Sequence, residues 1–439
     1  MTDYIWKKDS SEAVDQRVMR FLAGEDVVLD RELLPFDIRA SKAHAAGLAR
    51  IGVLTAEQAG AMRTSLDELA QAFAAGEFVL DERFEDGHSA IERWLIDHLG
   101  DVGGRIHAGR SRNDQVAVAL RLYMSDRLDR LADDCRAIAR VCLDRANAEA
   151  QVPLPGHTHL QQAMPSSLGL WWAGHAEAFI DNCALAVQTS DWLDACPLGT
   201  ASGFGVNIPL DRDGVASELE FDRLVVNPQY AQNSRGKVEL RAIDALAAAT
   251  GDVRRLSWDL SLFASQEFGF VRIPAAFCTG SSIMPNKLNP DTVELLRSLH
   301  GVVVGARSEL DAVVSLPSGY QRDLQDTKPP LLRAFGRGLA GLAIVPDLLA
   351  GLEWKTERLR QAISTDLHAT DRANELVGQG KSFREAYRQS ASELDELGQR
   401  TPEQSLEARV SPGGCANLLL GRLEQRLADL RKQQSVRKP

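Results

Sequence analysis

No run of about 18 or more apolar residues occurs in the 439-residue chain, which argues against a membrane-spanning helix. The opening MTDYIWKKDSSEAVDQ lacks the apolar core of a secretory leader, so the expected location is the cytoplasm. Cysteine is sparse. The six (Cys135, Cys142, Cys183, Cys196, Cys278 and Cys415) show no CxxC spacing and read as reduced thiols packed as small apolar side chains. Aromatics make up only 6%, in a composition (44% apolar, 25% charged) typical of soluble globular proteins. Positive charge is in deficit: 50 Lys and Arg against 61 Asp and Glu leave a net −11, which does not suit a surface for nucleic acid or anionic membranes. An anionic ligand must therefore be met by a local cluster of cations. Internal repeats and low-complexity tracts are absent.

The most informative absence is local. From Arg112 to Val152 there is neither Gly nor Pro. Apolar residues at Val116, Leu120, Met124, Leu128, Leu131, Cys135, Ile138, Cys142 and Ala146 step by three and four, the period of one amphipathic helix. About 40 residues at 1.5 Å each would span about 60 Å, and other long helices must cover that stripe. Ser166 to Ala195, Val238 to Phe268, Thr292 to Leu316 and Leu331 to Trp354 read as those partners. Glycines inside them, such as Gly169 and Gly338, cost helix propensity but let backbones approach closely.

The expected fold is all-α: a central bundle of five long helices over 111–360, flanked by smaller helical domains at 1–110 and 361–439. The apolar, small-residue faces on Ala173 to Ala186 and Gly301 to Val314 exceed the needs of one core and point to a homo-oligomer. Within the first domain the cluster Glu85-Asp86-Gly87-His88-Ser89 reads as a capped helix start.

Three polar stretches carry the chemistry. Cys278 to Glu294, CTGSSIMPNKLNPDTVE, is a loop broken by Gly280, Pro285 and Pro290 and furnished with Ser281, Ser282, Lys287 and Asn289. It exits into a helix whose first turn holds Asp291 and Glu294, the kind of terminus where carboxylates bind. HAGRSRNDQ, residues 107–115, opens the longest helix and gathers two arginines and an amide at its positive end. PLPGHTHLQ, residues 153–161, has its backbone restricted by two prolines and displays His157 and His159 on a loop. Two histidines at i and i+2, with no third ligand at a suitable spacing, do not make a metal site.

The string GSSIMPNKLNP at 280–290 fits the signature loop of the fumarase/aspartase superfamily at every specified position. With HAGRSRNDQ, PGHTHLQ and the later LPSGYQRDLQDTK, it resembles the argininosuccinate lyase family, in order and at comparable separations from about Ser41 to Tyr387. The resemblance implies reversible elimination of fumarate from argininosuccinate to give arginine, with no metal or organic cofactor, in a homotetramer whose active sites each draw on three subunits. By position, Ser281 resembles the mobile-loop serine that acts on the Cβ proton, His159 the catalytic histidine and Glu294 its carboxylate partner. Lys287 and Asn289 resemble holders of the fumarate-forming carboxylates, joined by Asn113 and Thr158, and Ser111 and Arg112 beside Asn113 count among the substrate-binding residues. Tyr320, Gln325 and Lys328 resemble the residues that complete the substrate site. Asp26 stands where the family has a substrate-contacting serine, His157 where it has tyrosine, and Met164 where it has glutamine. Two further readings stay open: a superfamily lyase acting on another N-succinyl amino compound, and a structural, crystallin-like member. The presence of both Ser281 and His159 argues against a purely structural role.

Overall fold

The computed structural model describes residues 16–437 apart from 24, 82, 395, 396, 398 and 399; the opening stretch 1–15 lies outside the described residues. The fold is all-α with a few short strands. Early helices are α1 (Asp26–Arg50), α2 (Ala56–Ala74) and α3 (Gly87–Leu99), followed by the long α4 (Arg112–Ala148), α5 (Leu168–Leu193), α6 (Lys237–Phe263), α7 (Asp291–Val313) and α8 (Lys328–Leu342). At 37 residues, α4 runs almost as far as its apolar period predicts. By contrast, α8 stops at Leu342, and a separate turn of helix covers Val345–Ala350. Pro346 has no N–H to donate to the Leu342 carbonyl, so one continuous helix to Trp354 does not form.

Two compact units result: Met1–Asp129, Gln188–Asp244 and Val304–Gly336 form the first, and Arg130–Val187, Ala245–Val303 and Arg337–Pro439 the second. All five long helices contribute residues to both. In the first unit, the Arg121 guanidinium of α4 donates to the Leu193 carbonyl (2.8 Å), and Tyr123 meets Phe335 of α8 edge-on at 6.3 Å. Arg307 of α7 pairs with Asp244 of α6 at 2.8 Å. Here α1, α2 and α3 close over their own core of Leu34, Ile38, Leu48, Met62, Leu66, Leu69, Ile91 and Leu95.

In the second unit Asn182 of α5 donates to Asp252 of α6 (2.8 Å), and Arg297 of α7 donates to Ser261 of α6 (3.1 Å). A Cβ on Gly338 would sit 2.7 Å from a methyl of Leu246, so α8 reaches α6 this closely only with glycine there. Strands β1 (Pro153–Thr158) and β2 (Gln161–Ser167) form an antiparallel hairpin with a bulge at Gly156/His157. No described helix is long and apolar enough to cross a membrane.

Candidate active site

The first unit contains a polar pocket at the start of α4, lined by Asp26 and Asp30 of α1, Glu85, Asp86 and His88 at the start of α3, and Arg112, Asn113 and Val116 of α4. Arg235, Tyr320, Arg322, Leu324, Gln325 and Lys328 complete it. The entry to α4 is locked by Asp114. One of its oxygens accepts the Ser111 N–H (2.8 Å), and the other accepts the N–H groups of Gly199 (2.8 Å) and Ala201 (2.9 Å). Burial pushes the Asp114 carboxyl up, while those three N–H donors and Arg110 pull against it. The Asn113 N–H turns back onto the Ser111 hydroxyl at 3.3 Å. Arg110, buried behind this turn, donates to Ser41 Oγ at 2.9 Å.

Charges in the pocket are held in clamps. The Lys328 ammonium, only 3% exposed, lies 2.7 Å from Asp26 Oδ1 and 2.8 Å from Asp30 Oδ1. Asp30 is engaged on its other side by the Gly87 N–H at 2.9 Å. Burial alone would draw the Lys328 ammonium down, but Asp30 and Asp26 outweigh it and hold it above its ordinary range. For Asp26 burial wins and the carboxyl rises, since Lys328 is shared and Asp30 and Asp86 add negative charge. Arg112 Nη1 sits 2.8 Å from Glu85 and 3.3 Å from Asp86. Asp86 also caps α3, accepting the Ser89 N–H at 2.7 Å. His88 pairs with the buried Asp37; burial pulls its imidazole down, and Asp37, then Asp86 and Asp30, more than reverse this. Arg235 is held by Glu239 at 2.9 Å, while Arg322 and Gln325 both donate to the Leu22 carbonyl, at 2.8 and 3.0 Å.

The remaining expected residues belong to the second unit and are built quite differently. Thr158 and Gln161 pair across the hairpin, so His159 and Leu160 are its two turn residues, with φ of 55° and 58°. A two-residue turn that follows strand twist wants positive φ at both positions, normally supplied by Asn-Gly. Here an imidazole and a leucine side chain bear the strain instead, at a site where strain is a pointer to function. The hairpin is anchored below the turn: His157 meets Phe268 edge-on at 5.9 Å, and Gln162 donates to the Ala362 carbonyl at 2.8 Å.

In the signature loop Thr279–Gly280 pairs with Leu288–Asn289 as a short antiparallel ladder. Ser281 Oγ accepts the Met284 N–H at 3.1 Å and the Ile283 N–H at 3.4 Å, so the hydroxyl keeps its own proton free to give. Ile283 at the loop tip is 83% exposed. Lys287 and Glu294 are exposed, and neither pairs with an opposite charge among the described residues. His159 and Glu294 share no hydrogen bond or ion pair among those residues.

Of the expected site residues, Asp26, Arg112, Asn113, Tyr320, Gln325 and Lys328 converge on the first unit's pocket, while Ser111 does not line it and accepts the Asn113 N–H. Thr158, His159, Ser281, Lys287, Asn289 and Glu294 lie on the hairpin and the signature loop or its exit helix. Asp30, Glu85, Asp86, His88, Arg235 and Arg322 line the pocket without having been singled out as site residues. The run at 85–89 was visible as a helix cap, which Asp86 indeed is. Arg235 carries no local signal. Among the described residues, no three His, Cys, Asp or Glu side chains are grouped to hold a metal ion.

Residues 10–305 match the family described as Lyase. Two solved structures share the fold. An EDDS lyase in complex with formate superposes with a TM-score of 0.78 at 22% identity, over 97% of this chain and 92% of that one. A 3-carboxy-cis,cis-muconate lactonizing enzyme from Pseudomonas putida gives 0.68 at 20%, over 96% and 98%. An all-helical chain of this architecture carrying that match is an enzyme of the lyase class. Two curated argininosuccinate lyases are more alike in sequence. The one from Stenotrophomonas maltophilia (strain R551-3) is 55% identical over 97% of this chain and 99% of its own length. That from Xanthomonas euvesicatoria pv. vesicatoria (strain 85-10) is also 55% identical, over 98% and 100%. The chain belongs to the argininosuccinate lyase family.

Proposed function

We propose that the chain catalyses the reversible elimination of fumarate from argininosuccinate, releasing arginine as a step of arginine biosynthesis. The observation that carries this reading is identity to argininosuccinate lyases along nearly the whole chain, at 55%. The pocket supports it chemically. Argininosuccinate joins a dicarboxylate to a guanidinium and an amino-acid end, and so needs carboxylates, cations and N–H donors side by side. All three meet at the start of α4.

In the reaction a proton leaves the Cβ of the succinyl group, the C–N bond breaks, and its electron pair departs with the guanidino nitrogen, which takes up a proton. Removing a carbon-bound proton beside a carboxylate builds an aci-carboxylate dianion, so stabilising that charge is the main task. Lys287, with no competing ion pair among the described residues, and Asn289 suit it, with Asn113 and Thr158 as further donors. Ser281 is the group acting on the Cβ proton; a serine hydroxyl is a poor base at neutral pH, and closure of its loop over the substrate would supply the activation. His159 is the candidate donor to the leaving nitrogen, with Glu294 tuning it. Tyr320, Gln325 and Lys328 complete the substrate site.

We take the assembly to be a homotetramer whose sites each draw on three subunits. Leu295 of α7 is 63% exposed, and a Cβ on Gly301 or Gly305 of α7 or on Gly174 of α5 would meet nothing within 4 Å, leaving small-residue helix faces for other subunits to cover. Six unpaired cysteines support a reducing compartment, the cytoplasm. Incubation with argininosuccinate should raise fumarate absorbance in step with arginine release. Absence of both, with turnover of a different N-succinyl amino compound, would move the reading to that substrate. Sedimentation should give a tetramer, and a fully active monomer would overturn the shared sites.

A further inference from the structure

The Lys328 corner of the pocket has an unusual charge count. One ammonium faces two carboxylates, Asp26 and Asp30, through one oxygen of each. The second oxygen of Asp30 is taken by the Gly87 N–H. No described residue donates to the second oxygen of Asp26, and Asp26 is only partly buried where it borders the pocket. The corner thus carries a net negative charge and shows the ligand one free carboxylate oxygen. The neighbouring clamp has the same count, Arg112 against Glu85 and Asp86. Arg322 lines the pocket with no carboxylate partner among the described residues and donates to the Leu22 carbonyl, so the excess belongs to the Lys328 corner and not to the pocket as a whole.

A ligand carboxylate arriving at Lys328 would meet an ammonium already committed to two anions and almost closed off from solvent. A ligand cation is the better fit. Its type follows from geometry: a guanidinium bonds best through a planar fork to both oxygens of one carboxylate, and Asp26 has one of its two occupied by Lys328. A compact ammonium needs only one oxygen.

We infer that Asp26 is a specificity-determining residue whose carboxylate, braced by Lys328, receives the free α-ammonium at the amino-acid end of the substrate. The residue rewards substrates that carry this group and penalises those that present only a carboxylate there. The inference rests on the proposed reaction for its substrate but can be read separately from it. Burial is the main reason the Asp26 carboxyl is displaced upward against the pull of Lys328, and Asp30 and Asp86 add to the rise.

The test compares argininosuccinate with its analogue lacking the α-amino group, in wild type, Asp26→Asn and Asp26→Ser. Asn keeps the shape and a hydrogen-bonding oxygen for Lys328 but removes the charge, and Ser guards against an Asn variant that folds poorly. Wild type should prefer the amino-bearing substrate in kcat/KM by roughly tenfold or more, and both variants should cut that preference at least about fivefold. A preference unchanged within about twofold, with both substrates losing equally, would overturn the inference by reducing Asp26 to a structural support. If wild type does not turn over argininosuccinate, the proposed reaction fails on its own account. Calorimetric binding of arginine against 5-guanidinopentanoate then decides on Asp26. A wild-type preference for arginine lost in Asp26→Asn supports the inference, and equal binding of the two by wild type overturns it.

Discussion

The pocket of the first unit and the loops of the second solve opposite problems. In the pocket, Lys328, Arg112, Arg235 and His88 are each locked against carboxylates, and of these Asp30, Asp86 and Glu239 are fixed in turn by backbone N–H donors. Outside the pocket, Lys287, His159 and Glu294 stand exposed and Ser281 is half-buried, and the ordering lies in the backbone: a strained two-residue turn and a two-rung ladder. Groups that recognise a ligand gain from being held before it arrives, because the cost of ordering them is already met by folding. Groups that move protons must meet a substrate that enters and leaves, and loops on a rigid scaffold suit that. Damage to the pocket should therefore appear mainly as lost stability, and damage to the loops mainly as lost turnover.

The largest expected effect is at the loop. Ser281→Ala should lower kcat by roughly 10²- to 10⁴-fold while KM and the circular dichroism spectrum barely change. Turnover within about threefold of wild type would remove Ser281 from the chemistry and blur the contrast. The counterpart in the pocket is Lys328→Met, which leaves Asp26 and Asp30 facing each other with no cation between them. Stability should fall by about 3–5 kcal/mol in urea unfolding at fixed protein concentration. A loss under about 1 kcal/mol would mean that the clamp is not part of the fold's support.

Smaller effects sharpen the comparison. Leu160 is 73% exposed and held at positive φ, so its side chain contributes little burial and much of the turn's strain. Leu160→Gly should be neutral to stabilising, by about 1 kcal/mol at most, whereas Leu160→Val should destabilise. Equal thermal midpoints for the two variants would show that the turn is unstrained.

Asp134 on α4 is a carboxylate without the pocket's compensation: one of its oxygens is buried with no hydrogen-bond partner. Burial pushes its pKa up to about 6, against the pull of Arg130. Because the folded form holds its proton to higher pH than the unfolded form, Asp134 costs no stability below about pH 4, and the cost grows as pH rises through about 6. Asp134→Asn should raise the melting temperature by a few degrees at pH 8 and by almost nothing near pH 4. A shift of the same size at both would assign the gain to packing.

What could be read from the chain alone divides along physical lines. The period of α4 is a local property, and its extent was legible to within a turn. So was the cap at Asp86, because a side chain that accepts the N–H three residues on leaves its signature in consecutive residues. The hairpin around His159 was not: its prolines read as extended or irregular chain with both histidines on a loop, and only the pairing of Pro153–Thr158 with Gln161–Ser167 makes it a hairpin with His157 in a strand. Nor was the break after Leu342, where Pro346 outweighed an otherwise helical pattern. The charge clamps were the least legible. Lys328 and Asp30 are 298 positions apart and meet only through tertiary structure, so the pairing of Asp26 with Lys328, rather than with a ligand alone, left no trace in the order of residues.

The division of all five long helices between the two units bears on how the chain is made. The first unit draws on residues as late as Gly336, and the second on residues beyond it. During synthesis the small core of α1, α2 and α3 can close early, but neither unit is complete while only the first three hundred residues have emerged from the ribosome, and α4 must wait with part of its apolar stripe uncovered. Such a chain is biased towards slow, late consolidation and towards dependence on chaperones while it waits. No cut between consecutive segments yields a unit that holds all of its own parts, so truncated versions of this protein should be recovered as aggregates rather than as half-enzymes.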